Sequence, residues 1–133
     1  MHVHEVRSIE IEAPYDHVFA FIADPNNLAR WAHAFERVNG RKARLRTPAG
    51  VEDIDLRVAS SLDVGTIDWI MTFADGKTAT ANSRVTRAPA GRVVYSFVLY
   101  APPLPLELLE GALEAQVRTL EAELSRLKEL LEQ

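Results

Sequence analysis

The chain contains no cysteine, which excludes disulfides, thiolate metal sites and thiol nucleophiles. Basic residues are not in excess either. Lys and Arg number 15 against 19 Asp and Glu, a net charge of −4, so nucleic-acid binding has no electrostatic support. No apolar run approaches the roughly 20 residues that a membrane helix needs. The opening MHVHEVRSIE is alternating and polar, unlike a signal peptide, so a cytoplasmic chain is expected. No nucleophile elbow, phosphate loop, dinucleotide fingerprint or zinc motif is present, and no cofactor or metal is expected. His2 and His4 share a strand face, but no third ligand is placed to complete a site. Aromatic residues are only 8% of the 133, so those on inward faces weigh heavily below.

What the chain does have is a long amphipathic stretch at its end, Pro105 to Glu132. Leu106, Leu109, Leu113, Val117, Leu120, Leu124, Leu127 and Leu131 recur in steps of three and four, one stripe of a helix. Such a helix is roughly 40 Å long and needs a partner for its apolar side. The preceding residues are therefore read as the surface that covers it. An interaction module remains an alternative, because a stripe sustained this long also describes a coiled coil.

The start of the chain alternates from Val3 to Ile11, a half-buried strand. Pro14 suits the first turn of a helix whose Tyr15, Val18, Phe19 and Ile22 share one side. Asp24-Pro25 then caps a second helix, with Leu28, Trp31 and Phe35 as its buried side. Asn39-Gly40 and Asp75-Gly76 are dipeptides of two-residue hairpin turns, and Pro48-Ala49-Gly50 and Pro89-Ala90-Gly91 mark two more turns. Six further strands lie between them, at about Phe35–Val38, Arg41–Thr47, Val51–Ala59, Val64–Phe73, Lys77–Arg87 and Arg92–Tyr100. Short connections make neighbours antiparallel, and helices segregated from strands indicate an α+β domain.

Period-two alternation sets the faces. Ile54, Leu56 and Val58 point inward, leaving Asp53, Asp55 and Arg57 as solvated charges. Ile67, Trp69, Met71 and Phe73 also point inward, as do the small set Ala79, Ala81 and Ser83 with Val85, and the Val93, Tyr95, Phe97 and Leu99 set. Ile70, Val94, Val98 and Tyr100 are left outside, a patch that raises the expectation of a homodimer. The basic run Arg37, Arg41, Lys42, Arg44 and Arg46 is split by a turn and reads as a solvated face.

The stretch IEAPYDHVFAFIADPNNLARW, with its "AP", short aromatic helix and "DP-x-x-L-x-x-W", resembles the START-like SRPBCC superfamily. That superfamily includes polyketide cyclases, aromatases and binders of lipids and plant hormones. The element order resembles it as well, over essentially the whole chain. The resemblance implies one START-like domain over residues 1–133, with a helix-grip fold. In that fold a curved seven-stranded antiparallel sheet wraps a long C-terminal helix, with two short helices after the first strand. It also implies an apolar cavity between sheet and helix.

Small residues fit such a cavity on their own account, because Ala79, Ala81 and Ser83 on the sheet and Gly111, Ala112 and Ala115 on the helix leave space that close packing would not. The expected ligand-contacting residues are Trp31 and Phe35, then Trp69, Met71 and Phe73, then Ala81 and Ser83. Tyr95 and Phe97 follow on the last strand, and Leu109, Gly111 and Leu113 on the helix. Polar specificity falls to Tyr95, Ser83 and His33, although a buried tyrosine commonly bonds backbone and His33 reads better as an exposed helix-end histidine. The favoured function is binding of a small hydrophobic or aromatic molecule. The alternative is a cyclase or aromatase that works by orienting a reactive chain. Few acid–base groups fall on inward faces, which favours binding.

Overall fold

The computed structural model describes residues 4–47, 50–100 and 106–133, with side chains described for all of these except residue 47 and residues 106–112. Strand β1 (His4–Ile11) leads into helix α1 (Tyr15–Ala23), a 3-10 turn (Pro25–Asn27) and the one-turn helix α2 (Leu28–Trp31). Strands β2 (Phe35–Asn39), β3 (Lys42–Thr47), β4 (Gly50–Ser61), β5 (Thr66–Thr72), β6 (Thr78–Arg87) and β7 (Val93–Tyr100) follow, then helix α3 (Leu106–Leu131). The sheet order is β1-β7-β6-β5-β4-β3-β2, an antiparallel meander with β1 added beside β7. This is the helix-grip arrangement. Among the described residues no helix is long and apolar enough to cross a membrane.

The inward faces follow the alternation of the sequence. Ile54, Leu56, Ile67, Trp69, Val85, Val93 and Tyr95 are buried, and their neighbours in sequence face outward. On α3, Leu120, Leu124, Leu127 and Leu131 join the core under the sheet, and Leu113 and Val117 are buried as well, so this part of the stripe is not free for pairing with another helix. Leu106 and Leu109 lie outside the described side chains. The far end of α3 is tied to β1, where Lys128 Nζ donates to the Glu10 carbonyl at 2.8 Å and Glu132 Oε2 accepts from the Glu12 N–H at 2.7 Å. Outside, Asp55 meets Arg41 at 3.1 Å and Asp53 meets Arg44 at 3.4 Å, solvated pairs as expected.

Three local readings are corrected. The second helix is shorter than its pattern suggests. Asp24 Oδ1 caps the Asn26 N–H at 3.0 Å, but a 3-10 turn intervenes, α2 ends at Trp31, and Phe35 opens β2. The β2–β3 turn is centred one residue later than Asn39-Gly40. Asn39 still pairs with Lys42, leaving Gly40 (φ 61) and Arg41 as the turn. At Asp75-Gly76 the loop has three residues, because Phe73 N donates to Lys77 O at 2.9 Å and Gly76 (φ 85) supplies the left-handed position. The turn at Pro48-Ala49 lies outside the described residues.

Candidate functional site

A partly open cleft of about 950 Å³ lies between the inner sheet face and α3, closed at one end by the corner from α2 to β2. That is within the range of small-molecule sites. Its origin is a mismatch of sizes across strands. Trp69 sits beside Ala81 and Met71 beside Ala79, so each large side chain of β5 has a small neighbour on β6. Space opens above β6. Neighbouring strands lie about 4.8 Å apart, so β5 and β7 are separated by nearly 10 Å. The rings of Trp69 on β5 and Phe97 on β7 are only 6.0 Å apart and therefore lean together over the intervening strand. Trp31 then packs on both Trp69 and Tyr95 at 6.2 Å, edge-on to the tyrosine. This aromatic cluster covers Ser83 but leaves Ala79 and Ala81 on the cleft wall.

Among the residues expected from sequence, Trp31, Phe35, Trp69, Met71, Phe73, Ala81 and Phe97 lie on the cleft wall. Ser83 is buried beneath, its hydroxyl donating to the Ile67 carbonyl at 2.6 Å. Tyr95 is fully buried behind Trp31. Burial pushes its hydroxyl well above the usual phenol range. Ser83 lies near enough to offset part of that shift, but its own proton goes to Ile67, and the Tyr95 oxygen has no hydrogen-bond partner among the described residues. Leu113 is buried away from the cleft wall, and Leu109 and Gly111 fall outside the described side chains. Among the described residues no group of His, Asp or Glu could hold a metal ion.

The polar groups on the helix side are ones the sequence reading passed over: Gln116, Thr119 and Glu123. They are spaced three and four apart and run as a second stripe beside Leu113, Leu120 and Leu124. Glu123 is the central one. Its carboxylate accepts the backbone N–H of His33, while Arg46 Nη1 donates to the His33 carbonyl at 2.6 Å. The His33 peptide is thus held from both sides, which ties the α2–β2 corner to α3 and to β3. Partial burial pushes the Glu123 carboxyl up to about 6, with the His33 N–H offsetting part of that shift. The His33 side chain itself is exposed at the rim. Together these groups place an acid near neutrality, an amide and a hydroxyl along the helix side of a mostly apolar cleft, whose other polar lining comes from His33, Arg46, Thr80, Asn82 and Tyr100.

The fold is shared with solved structures of other proteins. The solved structures similar to the chain include XoxI from Bacillus cereus, with a TM-score of 0.70 at 14% identity over 98% of this chain and 96% of that one. The Zhui aromatase/cyclase from Streptomyces sp. R1128 superposes with a TM-score of 0.67 at 16% identity, covering 97% of this chain and 93% of that one. A START superfamily protein from Mycobacterium smegmatis gives 0.64 at 10% identity, covering 96% and 98%. At such identities the likeness is one of fold. No curated protein gives a significant match. A sequence-family model does match, over residues 2–132, and by that match the chain belongs to the family described as polyketide cyclase / dehydrase and lipid transport.

Proposed function

We propose that the chain binds a small hydrophobic or aromatic molecule in the cleft between sheet and α3. The observation that carries this reading is the cleft itself: about 950 Å³ walled by Trp31, Trp69, Met71, Phe73 and Phe97, with polar side chains a minority of its lining. Apolar walls with a few placed polar groups are the usual form of a small-molecule site. Native mass spectrometry of gently purified protein should find a co-purifying mass. An environment-sensitive apolar dye should bind the emptied protein with one site per chain and be displaced by small aromatic compounds. A dye that finds no saturable site would overturn the reading.

One observation favours the cyclase-type alternative. Glu123, with its carboxyl near 6, stands on the cleft edge where a proton could be taken from or given to a bound carbonyl compound. For that role Glu123→Gln should abolish turnover of a reactive polyketone while leaving dye affinity within about twofold. Equal turnover by the variant would leave binding as the function.

A further inference from the structure

A second, shallower groove of about 640 Å³ adjoins the cleft and shares Trp31, His33, Thr119 and Glu123 with it. The Glu123–His33 hydrogen bond stands on the shared wall. The groove differs from the cleft in charge. Arg118 and Arg126 flank Ala122 at four-residue steps on α3, so all three share one side of the helix. Ala115 and Ala122 are short enough to leave the space between the two guanidinium groups open. Arg118 makes no hydrogen bond or ion pair among the described residues, and Arg126 has only a 3.7 Å contact with the exposed Glu129. Glu123, the one acid of the groove among the described residues, is engaged by the His33 N–H. A locally cationic groove therefore sits beside an apolar cleft, in a chain whose net charge is −4.

From this juxtaposition we infer that the cleft takes an amphipathic anion, whose apolar body lies against the aromatic wall and whose carboxylate reaches Arg118 and Arg126. The inference rests on the binding reading above and narrows it to a ligand class. Arginine suits the role, since its planar fork matches a carboxylate and stays charged at any physiological pH. The neutral analogue of such a ligand fills the cleft equally well but gains nothing in the groove.

Dodecanoate and 1-dodecanol separate the two contributions, because they share a chain and differ at the head. In a dye-displacement titration at pH 7.5 and low salt, dodecanoate should bind about tenfold more tightly than dodecanol, the size expected of two partly exposed charge contacts. The advantage should fall within twofold in the Arg118→Ala/Arg126→Ala double variant and shrink with added salt, while dodecanol affinity stays constant. A second double variant, Arg37→Ala/Arg57→Ala, removes the same charge from exposed positions outside the cleft and groove and should keep the preference. Equal affinities in the unmodified protein, a preference that survives loss of Arg118 and Arg126, or an equal loss in the Arg37/Arg57 variant would each overturn the anion site while leaving the cleft intact. Failure of both compounds to displace the dye would instead remove the cleft as a binding site, and this inference with it.

Discussion

Two residues show how position decides the behaviour of an ordinary side chain. Glu123 is a carboxylate whose folded-state pKa, about 6, lies above its ordinary value because burial penalises the charge. The folded protein therefore holds this proton more tightly than the unfolded chain does. The charged form costs stability above pH 6, and the cost disappears as pH falls through the ordinary carboxylate range near 4.5. For a group that keeps some contact with solvent we expect about 1 to 2 kcal/mol. Glu123→Gln removes the titration yet keeps an oxygen for the His33 N–H. Urea unfolding of both proteins should show the variant gaining by that amount at pH 7.5 relative to pH 5, and a constant difference would contradict the burial argument. Gly65 is the second case. It has φ +81, and a Cβ there would lie 2.1 Å from the Val85 carbonyl oxygen, the same strand whose N–H bonds Gly65 O at 2.8 Å. Gly65→Ala should cost about 2 kcal/mol or more by backbone strain and displacement of β6, read as a fall in urea midpoint.

At the scale of elements, α3 and the strands were legible because each shows one periodicity to one partner. The Leu113 to Leu131 stripe predicts its own burial, and Leu127→Ala, at a position with no exposure, should cost 2–5 kcal/mol in chemical denaturation. The alternation in β5 and β6 likewise predicts which side chains meet, and the registers Trp69↔Ala81 and Met71↔Ala79 set large against small. What escaped the sequence was decided by tertiary contact. Glu123 sits beside the apolar stripe at an angle that ordinarily faces water, and only the return of the α2–β2 corner over α3 takes it partly out of solvent. Tyr95 escaped for the opposite reason. Its inward direction was correct, but nothing in its spacing indicates that Trp31, sixty-four residues earlier, would stand between it and the cleft. The hairpin dipeptides located turns and missed their exact span by a residue, since Gly40 and Gly76 fix where the backbone can turn left-handed but not how many residues share the loop.

At the scale of the whole molecule the cleft is an expense. Engineered cavities cost about 24 cal/mol per Å³ when left empty, which for 950 Å³ would come to roughly 20 kcal/mol. A domain of this size has only about 5–15 kcal/mol of net stability. The fold cannot carry such a volume as vacuum, so water or a ligand occupies it, and the partly open form of the cleft admits either. Water on apolar walls is a poor occupant, and its displacement by apolar surface drives binding. Two consequences follow from the same volume. A saturating apolar ligand should raise the melting temperature, by an amount set by the ratio of its concentration to its dissociation constant. Filling the space with protein should do so permanently. Ala81→Trp puts an indole beside Trp69 on the cleft wall, where a side chain of that size fits within the available volume. We expect the variant to melt several degrees higher than the unmodified chain and to show no further shift on adding dye or dodecanoate, the usual exchange of function for stability at a built cavity. Differential scanning calorimetry decides it. A variant that melts lower and still responds to ligand would mean that the indole cannot enter the cleft and that the space above β6 is narrower than its wall residues imply.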